Sequence, residues 1–132
     1  MYYGEDIAGL EVQGIRCIGK VTDLAELRRL YSLSTLGIAF STTNPSLIPF
    51  EMLACGLPVV DVLLNTRNPD FDGCDAVVYS KPTEEDLCKS IYRLAMNSQG
   101  LADLSSKAIN WSISRPSETK FAQDVLSRLG LV

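Results

Sequence analysis

The chain has 132 residues, of which 46% are hydrophobic and 21% charged, and a formal net charge of −4. That length holds one domain with one sizeable core, and the composition is that of a globular chain rather than a disordered one. The acidic balance, with no basic stripe, argues against a nucleic-acid binder; an anionic ligand would need local donors to hold it against a weakly repelling field.

Taken in chain order, residues 11–18, EVQGIRCI, alternate toward their end and predict a strand closed by Gly19 and Lys20. Asp23 with Glu26 forms a capping-box pattern, Thr22 being the alternative cap. Leu24, Leu27, Leu30 and Tyr31 then recur at helical spacing. The short apolar run from Leu36 to Phe40 predicts a buried parallel strand, and Ser41 to Ser46 a loop of small polar residues. Pro49 suits a first helical turn, Gly56 stands where a C-terminal helix glycine belongs, and Pro58 stops continuation, so a two-turn helix is expected near 49–55. A strand over Pro58–Val62, a loop over 63–75 and a strand over Ala76–Tyr79 follow. Thr83 with Asp86 makes a second capping box, and Leu87, Ile91, Leu94 and Ala95 give that helix its apolar face. Leu101, Leu104, Ala108 and Trp111 mark a further helix, with Trp111 in its core face. Ser117 opens a last one, with Phe121, Val125, Leu126 and Leu129 directed inward.

The four cysteines, Cys17, Cys55, Cys74 and Cys88, contain no C-x-x-C pair, and the chain has no histidine. A zinc site is therefore not expected, and neither a Ser-His-Asp nor a Cys-His mechanism can be assembled. Acid–base work would fall to Asp, Glu, Lys, Tyr or Cys. Cys17, Cys55 and Cys88 lie in apolar runs, where a free thiol behaves as a small hydrophobe, and this usage suits the reducing cytoplasm. The opening MYYGED lacks the basic and apolar parts of a leader, no stretch reaches the roughly twenty apolar residues of a membrane span, and the Asn110-Trp111-Ser112 sequon is then coincidence.

The expected order, β-α-β-α-β-loop-β-α-α-α, describes an α/β fold: a Rossmann-like parallel sheet with helices on both faces. Ligands of such sheets gather beyond the carboxyl ends of the strands. Three segments occupy that edge: Gly19–Thr22, Ser41–Ile48 and the loop after Val62. The second runs from a strand end to a helix start, where unpaired amides and the helix dipole favour an anion. Small residues let a phosphate approach the backbone, and Thr42, Thr43 and Ser46 add hydroxyl donors. Glu51 follows in the first helical turn. Its carboxylate can accept two charge-assisted hydrogen bonds from the vicinal hydroxyls of a ribose; the plainer alternative is that it complements the helix dipole, worth about 0.3–1 kcal/mol.

The run STTNPSLIPFEMLACGLPVVDV, residues 41–62, resembles the signature of GT-B retaining glycosyltransferases of the group 1, or family 4, type: a loop, then a helix of the form Glu-Ala/Met-Met/Leu-Ala-x-Gly-x-Pro-Val-Val. The upstream IRCIGKVTDLAELRRLYSLSTLGIAFS and the downstream YSKPTEEDLCKSIYRLAMNSQ match that family's flanking layout, so the resemblance covers nearly the whole chain. The Glu-to-Val-Val block is the specific part. By this resemblance Glu51 binds the donor ribose, the backbone of Ser46, Leu47 and Ile48 binds the diphosphate, and Gly19, Lys20 and Val21 lie beside the base. The family often carries a second glutamate eight positions before this one, facing the donor sugar; Thr43 stands there. The Pro-Ser-x-x-Pro-x-Glu-Met form is similar to a branch containing rhamnosyltransferases of surface polysaccharide assembly, which also lacks that glutamate.

The resemblance implies a nucleotide-diphospho-sugar substrate, a hydroxyl acceptor on a glycan, no metal, no other cofactor and no covalent protein nucleophile. Residues 1–5 match the end of the family's second strand, so the first strand and helix, and the whole acceptor-binding amino-terminal domain, are expected to belong to a longer parent enzyme. That parent is expected in the cytoplasm, peripheral to the inner face of the membrane. A sheet without its opening strand invites pairing at the bare edge, a route to a homodimer. A non-enzymatic α/β interaction module, or an inactive truncated homologue, is the alternative; a nucleotide-sugar epimerase fits less well, because such enzymes lean on histidine and a longer chain.

Other polar residues carry plainer expectations. Lys20 is expected to be solvated, and Asn65, Arg67 and Asn68 to be turn formers. Asp61 is expected to cap a neighbouring helix, and Tyr2 and Tyr3 to be exposed or at a dimer contact.

Overall fold

The computed structural model describes residues 14–40, 47–62, 71–117, 120, 123 and 126–128. Within them the order is α1 (Leu24–Leu33), β1 (Gly37–Ala39), α2 (Ile48–Ala54), β2 (Val59–Val62), β3 (Val77–Ser80), α3 (Glu84–Ala95) and α4 (Ser98–Ser114). The three strands form one parallel sheet in the order β1-β2-β3, with Gly37 beside Val59 and Val59 beside Val77. This is an α/β arrangement of parallel strands and helices, in keeping with the Rossmann-like class.

β2 is the centre of the sheet, and every one of its residues is buried. Side chains alternate across a strand, so Val59 and Asp61 face one side and Val60 and Val62 the other. Because both sets are buried, the sheet is covered on both faces. The Val59 side carries the main cluster, in which Ala39 and Val77 join Met52, Leu53 and Leu57 from α2 and the turn after it, Ala108 from α4, and Tyr31 from α1. α2 packs on β1 and β2, α3 on β2 and β3, and α4 on α2 and α3.

The caps expected from sequence form, with refinements. Asp23 is the N-cap of α1 and accepts from the Ala25 amide at 2.7 Å. Thr83 caps α3: its hydroxyl accepts from the Asp86 amide at 3.2 Å and donates to the Asp86 carboxylate at 2.9 Å. α4 is capped by Asn97, whose side chain accepts from the Gly100 amide, four residues before the apolar pattern starts at Leu101. The Ser117 hydroxyl accepts from the Lys120 amide, which is the expected opening of the last helix. Phe121, Val125 and Leu129 lie outside the described residues, and Leu126 is 39% exposed rather than directed inward.

α2 ends as its glycine predicts. Gly56 has φ +75°, its amide donates to the Leu53 carbonyl at 2.9 Å, and the Leu57 amide donates to the Met52 carbonyl at 2.9 Å. These two bonds make a Schellman motif, and the accompanying apolar contact is supplied by Met52 and Leu57, both core residues.

Four expectations are corrected. No strand ladder runs through the described part of 11–18: Gly14 takes φ +87°, outside the extended region, and only a single bridge at Cys17 remains, while 11–13 lie outside the described residues. β1 is not buried throughout, since Ile38 is 41% and Phe40 64% exposed; a strand at the end of the described sheet has a neighbour on one side only. In α3 Leu94 is buried but Ala95 is exposed, because it projects roughly 100° around the helix from Leu94. Cys17 and Cys88 are exposed and Cys55 is half-buried, whereas Cys74, in a turn-rich segment, is in the core. Apolar sequence neighbours therefore did not decide which thiol is inside.

Where α2 packs on β1, residue 37 has no side chain and the Met52 side chain fills the space. A Cβ at Gly37 would fall 2.5 Å from the Met52 sulfur and 3.3 Å from Leu57 Cδ2. Gly37→Ala is therefore expected to lower the urea midpoint, with a stability loss of about 1–3 kcal/mol typical of overpacking; an unchanged midpoint would mean that this contact is not tight.

Candidate functional site

Of the residues singled out from sequence, Leu47, Ile48 and Glu51 lie on α2 or at its N-cap. Its opening is unusual: the N-cap is Leu47, which makes no side-chain cap bond, and Pro49 occupies the first turn without an N–H to offer. The first intrahelical bond runs from the Glu51 amide to the Leu47 carbonyl at 3.2 Å. Along this short helix Pro49, Met52 and Leu53 face the core, at the i, i+3, i+4 spacing of one helical face. Glu51 falls on the opposite side and is exposed.

Exposure does not leave the carboxylate unsupported. The Tyr31 hydroxyl, from α1, donates to Glu51 Oε2 at 3.1 Å. Tyr31 itself is only 4% exposed and belongs to the core cluster, so the hydrogen bond joins a buried phenol to a surface acid. Glu51 Oε1 has no hydrogen-bond partner among the described residues. A carboxylate offers about four acceptor positions, so one bond from Tyr31 leaves room for two donors from a ligand.

Next to Glu51, Phe50 turns into an aromatic cluster that anchors the same helical turn. Its ring lies 4.5 Å from that of Phe71 and 6.0 Å from that of Trp111, and Phe71 and Trp111 are 5.9 Å apart. The Arg115 guanidinium sits 5.0 Å from the centroid of Phe50 and 4.8 Å from that of Trp111, within cation–π range. Trp111 thus packs against the core as the helical spacing indicates. Phe71 lies in a segment read from sequence as plain loop; a lone aromatic among turn formers is the signal that was there to use.

The electrostatics of the α1–α2 seam show in Cys55, one turn beyond Glu51. Burial pushes its thiol up from the ordinary value; Arg28 nearby pulls the other way and Glu51 adds to the rise. The net shift is upward, which disfavours the thiolate.

Of the other expected contacts, Lys20 is exposed, as a solvated lysine should be, and Gly19 holds φ +68°, a turn conformation that suits glycine. No hydrogen bond or ion pair among the described residues ties Gly19, Lys20 or Val21 to Glu51. Leu47 is 73% and Ile48 39% exposed at the start of α2. Asp61 is 2% exposed within β2. Thr43 and Ser46 lie outside the described residues, as do Tyr2, Tyr3, Asn65, Arg67 and Asn68.

A cavity of about 210 Å³ lies elsewhere, lined by residues 71–75 with Val77 and Tyr79. Val77 is the first residue of β3, so this cavity reaches the amino end of the strand, opposite the edge where ligands of parallel sheets gather. Among the described residues no group of three or more Cys, Asp and Glu is placed to hold a metal ion, and no helix is long and apolar enough to cross a membrane.

Cys74 borders that cavity with only 8% of its surface exposed. Burial pushes its thiol up; hydrogen bonds from the Ala76 and Val77 amides and the charge of Arg115 offset part of the rise, while Asp75 adds to it. Thiolate is the reactive form, so at pH 8 Cys74 is expected to be alkylated by iodoacetamide much more slowly than the exposed Cys17 and Cys88, as read by peptide mass spectrometry of the folded protein. Equal rates would place Cys74 outside the core.

No protein-family model, curated protein or solved structure matches this chain.

Proposed function

We propose that this chain is the donor-binding part of a retaining glycosyltransferase of the GT-B type, which moves a sugar from a nucleotide-diphospho-sugar to a hydroxyl acceptor in polysaccharide or glycan synthesis. The observation that carries the reading is Glu51: an exposed carboxylate on the helix after a parallel strand, with Oε2 held by Tyr31 and Oε1 open to a ligand among the described residues. In this reading Glu51 accepts from the ribose hydroxyls, the diphosphate lies against the backbone of Ser46, Leu47 and Ile48 with Thr43 toward the sugar, and Gly19–Val21 flank the base. The finer placement in the rhamnosyltransferase-like branch rests on the Pro-Ser-x-x-Pro-x-Glu-Met form alone.

The chemistry asked of these residues is modest. The step breaks the bond between the anomeric carbon and the diphosphate, and donors aimed at the departing oxygens lower its barrier. Neither a histidine nor a protein nucleophile is required, which suits a chain that has no histidine. The acceptor hydroxyl would be presented by a separate amino-terminal domain of the parent enzyme.

One observation favours a second reading, an α/β module for protein association. Phe40 and Leu47, which flank residues 41–46 in sequence, are 64% and 73% exposed, and exposed apolar side chains can contribute to a protein contact. Titration of the labelled chain with UDP, GDP and ADP followed by amide NMR separates the two. The donor reading expects shifts confined to about residues 41–51, weakened roughly tenfold or more by Glu51→Ala, the scale of a lost hydrogen bond to a charged group. No shift at millimolar nucleotide would remove the donor reading and leave the association module.

A further inference from the structure

The Tyr31–Glu51 bond links two helices, 20 residues apart in sequence, and its two ends differ in kind. The phenol is buried and packed in the core cluster. The acid is exposed on a side chain with three rotatable bonds, and a glutamate left to solvent samples many rotamers. Anchoring one oxygen to a fixed donor removes most of that freedom before any ligand arrives.

We infer that Tyr31 is a positioning residue: its hydroxyl holds the Glu51 carboxylate in the one orientation that presents Oε1 to the vicinal hydroxyls of a ribonucleotide. The inference rests on the donor reading above and adds to it a residue that does not touch the ligand. Tyr31 sets affinity by preorganisation, since ordering that would otherwise be lost on binding is completed in the free protein. The competing role is purely structural, with Glu51 serving only to satisfy a buried hydroxyl. The two differ in what they couple. A structural bond affects unfolding; a positioning bond affects ligand affinity, and only while Glu51 is there to be positioned.

A double-substitution cycle on UDP affinity, read by amide NMR on the full chain, tests this. Tyr31→Phe keeps the ring and removes the donor; Glu51→Asp keeps the charge and withdraws the carboxylate by one carbon, and being at an exposed position it does not threaten the fold. Each is expected to weaken UDP binding about three- to tenfold, the scale of one hydrogen bond, and the double variant to bind no worse than Glu51→Asp alone. Binding of UDP by either single variant at the wild-type level would overturn the inference while leaving the donor reading in place, as would losses that simply multiply in the double variant. Failure of the wild type to bind UDP, GDP or ADP is a different result, visible before any substitution; it overturns the donor reading and the inference with it.

Discussion

α2 rests against β1 through Pro49, Met52 and Leu53, with Met52 over the bare Gly37, and much else about the molecule follows from that contact. Met52 fills the space above Gly37, Leu53 beside it is fully buried, and the Schellman turn at Gly56 brings Leu57 back onto the same layer. A helix of seven residues has little stability of its own. Burial of Pro49, Met52 and Leu53 seats it, and the Phe50 aromatic cluster and the Tyr31 hydrogen bond add contacts at its flanks. Once Pro49, Met52 and Leu53 are committed to the core, helical geometry leaves Glu51 on the solvent side.

The candidate site is therefore a consequence of packing rather than an addition to it. Glu51 projects from a helix packed on β1, β2 and α4, and its carboxylate accepts a hydrogen bond from the buried Tyr31 phenol. Sequence reading had left two roles for this acid, dipole complement or ribose acceptor. The structure adds a third fact, a partner on α1, which limits the acid's freedom without burying it. The same seam acts on the Cys55 thiol: partial burial pushes its pKa up, and Arg28 and Glu51 act on it in opposite directions.

Phe71 and Cys74 show how a segment rich in turn formers can still serve the core. Composition marks residues 63–75 as loop, and the described portion is indeed turn rather than helix or strand. Yet Phe71 packs against both Phe50 and Trp111, with Arg115 over two of the three rings. The cluster draws one residue each from α2, α4 and the segment before β3, with Arg115 just past the end of α4. No period in the sequence could group them, because they come from parts of the chain more than 20 residues apart.

What the amino-acid sequence determined by itself is the local architecture. Asp23, Thr83 and Ser117 as caps, Gly56 as a left-handed helix stop, and the short apolar runs as parallel strands were all legible, because capping, glycine φ and strand preference are decided within a few residues. The α/β class follows from their alternation. Only the tertiary structure decided which face of β1 stays uncovered, which cysteine is inside, and that Tyr31 meets Glu51. Those outcomes depend on what another element brings to the same place: a strand's exposure depends on its neighbours, a thiol's burial on the turn that encloses it, and a carboxylate's orientation on a donor that arrives from a different helix.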